Sequence, residues 1–354
     1  MKNKSRYILW LLVVFILVVI GIVKVFLIPK SETSINQDTV KSEDSNKSIQ
    51  SFNVLQLSKS DWNTPEGIPY TQVPGVNLGA TSFQILDQNR IAFLCNSSNE
   101  IIITDKSTGK AIYKFPVSFA PRDMVYENNK FYVLSEYEVT VYDETGNEIT
   151  KYPFPMNYQG IERLIRFNDA TYILLPEGNS LMIEDCGESV EPAVFKGVIT
   201  ENGYFITSQI TGSNTYSIKI SFSNKNAIEK TYDTNKKTAG VFIIGSTENR
   251  VLLDVQTFIS ENPIAVERTI TAIELSNNEL RGIVTEIIVP QSYYVISNKD
   301  FYVSENGNVY NMMTSPQGVS VFSLSESKSG KVHGYPSTLT DNQYNSNNNL
   351  IKVD

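Results

Sequence analysis

Apolar and polar positions along this chain change rhythm twice. From Tyr7 to Val23 no residue is charged, and after Lys24 the apolar run resumes to Ile28. A hydrocarbon layer about 30 Å thick takes roughly 20 residues of helix. Residues 7–28 are therefore predicted to form one transmembrane helix. Lys24 would extend its ammonium to the interface, and Tyr7 and Trp10 would sit at the N-terminal boundary. The h-region of a cleaved leader is shorter, about 7–15 residues, and ends at a small-x-small site. No such site follows here, and no Cys follows for lipid attachment, so the segment is predicted to be an uncleaved anchor. Residues 29–65 are polar and mixed in charge, too poor in apolar surface to offset ordering entropy. They read as a flexible stalk, with FNVLQL (Phe52–Leu57) the one stretch able to dock on the body. Residues 66–325 carry short β-type runs punctuated by turn residues, and residues 326–354 form a Ser/Asn-rich, low-complexity tail.

The β-type runs repeat. NRIAFLCNSSNEIIITDKSTGKAIYKFPV, from Asn89, aligns with NKFYVLSEYEVTVYDETGNEITKYPFP, from Asn129. Both run strand, polar turn, strand ending in Asp, a turn with Thr-Gly, then an aromatic-rich strand. KDFYVSENGNVYNMMTSPQGVSVFSL, from Lys299, keeps the layout, with Gly318 closing its turn. One more strand precedes each unit, near 83, 124, 162, 197, 240 and 293. Four strands recurring at roughly 40 residues are the pattern of propeller blades. The fold is predicted to be all-β, a six-bladed β-propeller, or seven-bladed if residues 66–82 pair with the tail. An irregular β-sandwich would explain the strands but not the repeat.

ITDKSTGKAIYKF, Ile103 to Phe115, resembles the tryptophan-docking repeat of quinoprotein-type propellers, A-x-D-x-x-T-G-x-x-x-W. Asp105, Thr108 and Gly109 match, Thr104 takes the Ala position and Tyr113 stands for Trp. Asp143, Thr145, Gly146 and Tyr152 form a looser copy with a shorter turn. The resemblance covers about two blades. It implies a propeller, and the non-enzymatic scaffold members are the better comparison. The quinone enzymes hold their cofactor with Ca²⁺ beside a vicinal disulfide, and this chain has no vicinal cysteine pair. No cofactor is expected. Without one the motif still has a role. Asp105 and Asp143 can accept backbone N–H groups inside their turns, Gly109 and Gly146 supply a positive φ at low cost, and Tyr113 can dock one blade on the next.

Charge narrows the partners. Residues 1–30 carry Lys2, Lys4, Arg6, Lys24 and Lys30 and no acid, leaving 25 basic against 38 acidic residues in the remainder. The basic N-terminal flank places residues 1–6 in the cytoplasm and the body outside. An acidic body argues against nucleic acid, whose partners usually carry a basic patch. Cys95 and Cys186 are too few for a disulfide framework and read as unpaired thiols. The Asn/Lys/Ile-rich composition is that of bacterial chains from genomes of low GC content.

Chemistry is sparse. The one histidine, His333, cannot build a multi-histidine metal centre. G-x-S-x-G and the phosphate loops are absent. Carboxylates such as Asp123, Glu162 and Asp254 are scattered, and Asp87–Asn89 and Asn306–Asn308 have turn composition, not a Ca²⁺-loop spacing. Arg163, Arg166 and Arg268 are the candidate ligand-face residues: in the central channel a guanidinium could hold an anion, while on an exposed sheet face it would be an ordinary ion pair. No catalytic or metal-binding set is expected. The expected function is a membrane-anchored binding or scaffold module outside the cell, held to the bilayer by residues 7–28, for an envelope protein or polymer. The alternative is a carboxylate-based glycan hydrolase or lyase.

Overall fold

A computed structural model describes residues 49–153, 160–161, 163–183, 193–222, 225–276, 279–290, 294–304, 306–326, 333–336 and 339. The expected anchor and cytoplasmic tail lie outside these residues. No helix among the described residues is long and apolar enough to cross a membrane.

The elements are strands, and they fall into small antiparallel sheets in chain order. β1 (Gln50–Ser60) leads, followed by a two-stranded hairpin, β2 (Thr71–Val73) and β3 (Val76–Leu78). The first four-stranded sheet is β4 (Ala80–Ile85), β5 (Arg90–Cys95), β6 (Glu100–Asp105) and β7 (Ala111–Pro116). The second is β8 (Asp123–Glu127), β9 (Lys130–Leu134), β10 (Glu138–Asp143) and β11 (Glu148–Pro153). The third is β12 (Arg163–Phe167), β13 (Ala170–Leu174), β14 (Ser180–Met182) and β15 (Val194–Phe195). β16 (Val198–Ile199), β17 (Phe205–Gly212), β18 (Thr215–Phe222) and β19 (Lys225–Asp233) make the fourth. β20 (Thr238–Thr247), β21 (Arg250–Glu261), β22 (Ile264–Ser276) and β23 (Glu279–Val289) make the fifth. The last contains β24 (Phe301–Val303), β25 (Val309–Ser315) and β26 (Gly318–Glu326).

Two expectations are corrected here. The last unit was expected to open near residue 293, but its first strand among the described residues is β24, eight residues later, so the described chain supplies three strands there. The fourth comes from the other end. β1 pairs antiparallel with β26, from Phe52↔Glu326 to Ser60↔Val319. The stretch read as the second half of a flexible stalk is thus an integral strand, because Phe52 and Val54 are buried among core residues of the fifth and last sheets. Among the described residues, 66–82 supply the β2–β3 hairpin and the start of β4. A two-residue parallel contact, Gln50↔Thr285 and Ser51↔Glu286, joins β1 to β23 and links the fifth and last sheets.

The packing explains the sequence pattern. Runs such as Ile91–Cys95 and Val251–Leu253 are apolar without alternation because both faces are covered. Ala92 and Leu94 pack with Phe131 and Val133 of the second sheet. Ile91, Phe93 and Cys95 pack with Met312, Val319 and Val321 of the last sheet. Likewise Val251 and Leu253 join Ile218 of the fourth sheet, while Leu252 joins Phe301 and Phe322 of the last. The second and third sheets meet through Leu134, Val139, Ile173 and Leu181. Each four-stranded sheet is sandwiched between neighbours, and first strands lie side by side, β4 on β8, β8 on β12 and β20 on β24. This is the repeat plan of a β-propeller. Of the tail, Val54 N–H donates to the His333 carbonyl, and Tyr335 lies edge-on to Phe322 with its hydroxyl donating to Asn311 Oδ1.

Candidate functional site

The turn residues come first, because they set the frame. Asp105 Oδ1 accepts from the backbone N–H groups of Ser107 and Thr108 and from both their hydroxyls, at 2.6–3.1 Å. Asp143 Oδ1 accepts from Thr145 N–H, Thr145 Oγ1 and Asn147 N–H, and Oδ2 from Asn147 Nδ2. These donors, with the Asn147 amide foremost, hold the Asp143 carboxyl down at about 2. Gly109 has φ +69° and Gly146 φ +81°. A Cβ on Gly109 would come 1.8 Å from the Lys59 carbonyl oxygen, and one on Gly318 (φ +136°) 2.1 Å from that of Ser60. These two glycines let the turns of the first and last sheets close on the end of β1. The Tyr113 hydroxyl donates to the Thr145 carbonyl at 2.8 Å, from the first sheet to the second.

The first strands bring a different set together. β4 contributes Ser82 and Gln84, β8 Asp123, and β12 Arg163. Glu201 follows β16, and Lys299 precedes β24. Asp123 is fully buried. Its Oδ1 accepts from Ser82 Oγ at 2.6 Å and Met124 N–H at 2.7 Å, its Oδ2 from Leu164 N–H at 2.8 Å, and Lys299 Nζ stands 3.8 Å from Oδ1. Three sheets are thus tied by one carboxylate. Arg163 crosses to the fifth sheet and donates to the carbonyls of Ile243 and Ile244 at 2.9 and 3.1 Å. Burial pushes the Lys299 ammonium down, against the pull of Asp123. Burial likewise pushes the Glu201 carboxyl up, against Arg163 and Lys299. Glu201 keeps some exposure as a residue, but its Oε2 is shut off from solvent without a hydrogen-bond partner, as is Arg163 Nε.

Two cavities meet this polar group, one of about 850 Å³ and one of about 220 Å³, and Arg163 and Lys299 border both. The larger is walled by the Leu174–Asn179 turn, by β17, β18, β20 and β21, and by residues 298–301. The long β21–β22 hairpin belongs to the same part of the chain.

The three arginines singled out in the sequence are not on an exposed sheet face. Arg163 is committed to backbone carbonyls. Arg166, 8% exposed, donates to Glu127 at 2.8 Å and Thr171 at 2.6 Å and lies over the Tyr132 ring. Arg268 donates from Nε and Nη2 to Asp254 Oδ2 at 3.0 and 2.6 Å and from Nη1 to Asp300 Oδ2 at 2.7 Å. Asp254 and Asp300 border the larger cavity. Burial pushes the Asp254 carboxyl up, with Arg268 pulling it down and Asp300 adding to the rise. Of the scattered carboxylates, Asp123 lies in the polar group that the first strands bring together, the axial group, and Asp254 on the cavity wall, while Glu162 is outside the described residues. Cys95 is a free, buried thiol pushed up by burial, and Cys186 is outside the described residues. Asp87 accepts from Asn89 N–H, Arg90 N–H and Arg90 Nε, an ordinary turn.

Lys299 and Glu201 escaped sequence reading. A signal for Lys299 existed: charged residues stand one or two positions before the first strand in several units, at Arg122, Glu162 and Lys299.

No protein-family model matches this chain, and no curated protein matches it. Among solved structures it is similar to the C-terminal WD40 domain of Sif2, at 11% identity over 78% of this chain and 99% of that one, TM-score 0.43. It is also similar to hydrazine synthase of Kuenenia stuttgartiensis, at 13% identity over 70% of this chain and 75% of that one, TM-score 0.41. BamB from Moraxella catarrhalis follows at 12% identity over 72% of this chain and 61% of that one, TM-score 0.26. At such values the fold reading rests on the chain's own topology.

Proposed function

We propose that this chain is a six-bladed β-propeller, closed by β1, that acts as a non-catalytic binding or scaffold module outside the cell. Residues 7–28 hold it to the membrane with the N-terminus inside. Because β1 begins at Gln50, the stalk is about 20 residues, which as a flexible chain spans about 25 Å. The ligand is an envelope protein or polymer, engaged at the mouth of the larger cavity.

The observation that carries this reading is the state of three acids: Asp254 and Asp300, which border that cavity, and Asp123, which lies in the neighbouring polar group. Asp123 is saturated by Ser82, Met124 and Leu164, and Asp254 and Asp300 share the Arg268 guanidinium. Carboxylates engaged in this way are suited to positioning walls, which favours binding over catalysis. The cavity volume suits a ligand, within the usual range of 300–1,000 Å³. Crosslinking in the native membrane, followed by identification of what co-purifies, tests it. A discrete partner supports the reading; the chain recovered alone, where known complexes are captured, opposes it.

A second reading, a carboxylate-based glycan hydrolase or lyase, draws on Asp254, whose carboxyl is pushed up beside Asp300 in one cavity. Arg268 stands between the two, where substrate and water would have to be. Release of new glycan ends by the chain, lost in Asp254→Asn, would establish it.

A further inference from the structure

The wall of the larger cavity holds a feature that the axial group does not explain. Asp254 and Asp300 are two carboxylates that share one guanidinium, and Asp254 Oδ2 also accepts from Gln256 Nε2 at 3.3 Å. Asp254 is 5% exposed and its Oδ1 has no hydrogen-bond partner. Its cross-strand neighbour in the ladder is Phe242. Paired residues on one sheet face lie with their Cβ atoms about 5 Å apart. Phe242 borders the same cavity, yet 55% of it is exposed, and its ring leans across Gly240, whose Cα has no side chain to hold it off. An uncovered aromatic face beside an under-served carboxylate is the recognition chemistry of an ammonium group. The rest of the wall is mixed: hydroxyls and amides, among them Gln209, Ser217, Gln256 and Asn298, stand with Lys196, Lys219, Glu177 and Glu229. That lining suits a ligand rich in hydroxyls.

Resting on the binding reading above, we propose that this wall is a subsite for the protonated amine of an amino-sugar glycan, with Phe242 under the sugar and Asp254 and Asp300 facing the ammonium. N-acetylation removes the charge and keeps the sugar, so it separates the two contributions.

The test is calorimetric titration of the full chain in detergent with β-1,4-linked glucosamine trisaccharide, its N-acetylated counterpart and trilysine. The glucosamine trisaccharide is expected to bind, and the N-acetylated form about tenfold more weakly, the factor that one lost charge contact of this kind supplies. Phe242→Ala, at an exposed position where folding is not at stake, is expected to weaken binding by about the same factor. Asp254→Asn, checked for native circular dichroism, is expected to erase the difference between the two sugars. Equal binding of both sugars, binding indifferent to Phe242→Ala, or tighter binding of trilysine than of the sugar would overturn the proposal. Native-membrane capture of a partner indifferent to Phe242→Ala and to excess glucosamine trisaccharide would also overturn it, and would leave the scaffold reading standing. Sugar binding through Phe242 with no captured partner would uphold it and remove the scaffold reading.

Discussion

Replacing Asp123 by alanine strikes the axis at its most connected point. The carboxylate is fully buried and accepts from Ser82 Oγ, Met124 N–H and Leu164 N–H, with Lys299 Nζ 3.8 Å away. Leaving a buried donor unsatisfied costs about 1–3 kcal/mol. Stripping a buried cation of its counter-charge costs about 3–5 kcal/mol. These losses overlap, since Lys299 also donates to the Met124 carbonyl at 3.5 Å, and a total near 5 kcal/mol is expected. That is a large share of a stability of about 5–15 kcal/mol. Urea unfolding of the full chain in detergent, followed by circular dichroism, measures it. Lys299→Met removes the stranded charge, so Asp123→Ala should cost less in that background, by at least about 1 kcal/mol. A cost below about 1 kcal/mol for Asp123→Ala, or additivity of the two changes, would mean that the axial carboxylate does not hold the sheets.

Other outcomes follow from the same geometry. Gly109→Ala combines a left-handed φ with a Cβ 1.8 Å from the Lys59 carbonyl oxygen, so the unfolding free energy from urea titration should fall by more than the roughly 1–2 kcal/mol of the backbone conformation alone. The Asp143 carboxyl, held at about 2 by its turn donors, contributes stability above its ordinary value of 3.8 that is lost as pH falls toward 2; its side-chain NMR titration should show that midpoint, and Asp143→Asn should remove that part of the acid limb. Glu201 is pushed up by burial, so its contribution is present below the ordinary carboxyl value and lost as pH rises through the raised one; Glu201→Gln should leave the chain at least as stable at pH 7, by urea unfolding.

Local features were readable from the residues, and non-local ones were not. The Asp105 and Asp143 turns are closed by groups within four positions, so composition alone placed them. Repeating strands were readable because burial on both faces selects continuous β-branched and aromatic runs. β1 was readable only in part: Phe52–Leu57 stood out as able to dock on the body, but its partner β26 lies at the far end of the chain. The run from Tyr293 to Ser297 has strand composition. Tyr294 instead stacks on Tyr70 beside Trp62, and Val295 N–H goes to Thr314 Oγ1. The axial group depends on pairs 41 and 175 positions apart, which no local pattern specifies. Tyr335 shows the same in the tail, where a Ser/Asn-rich composition surrounds one well-packed ring.

One face of this ring, around the larger cavity, is proposed to hold a ligand outside the cell. A photo-crosslinking residue placed at Phe242 in the intact chain, irradiated in its native membrane, addresses that claim directly, with the same residue at Ile112 on an outer strand as reference. The expected result is a discrete adduct from position 242, absent from position 112 and displaced by excess ligand. Identical labelling from both positions, or none from position 242, would contradict it.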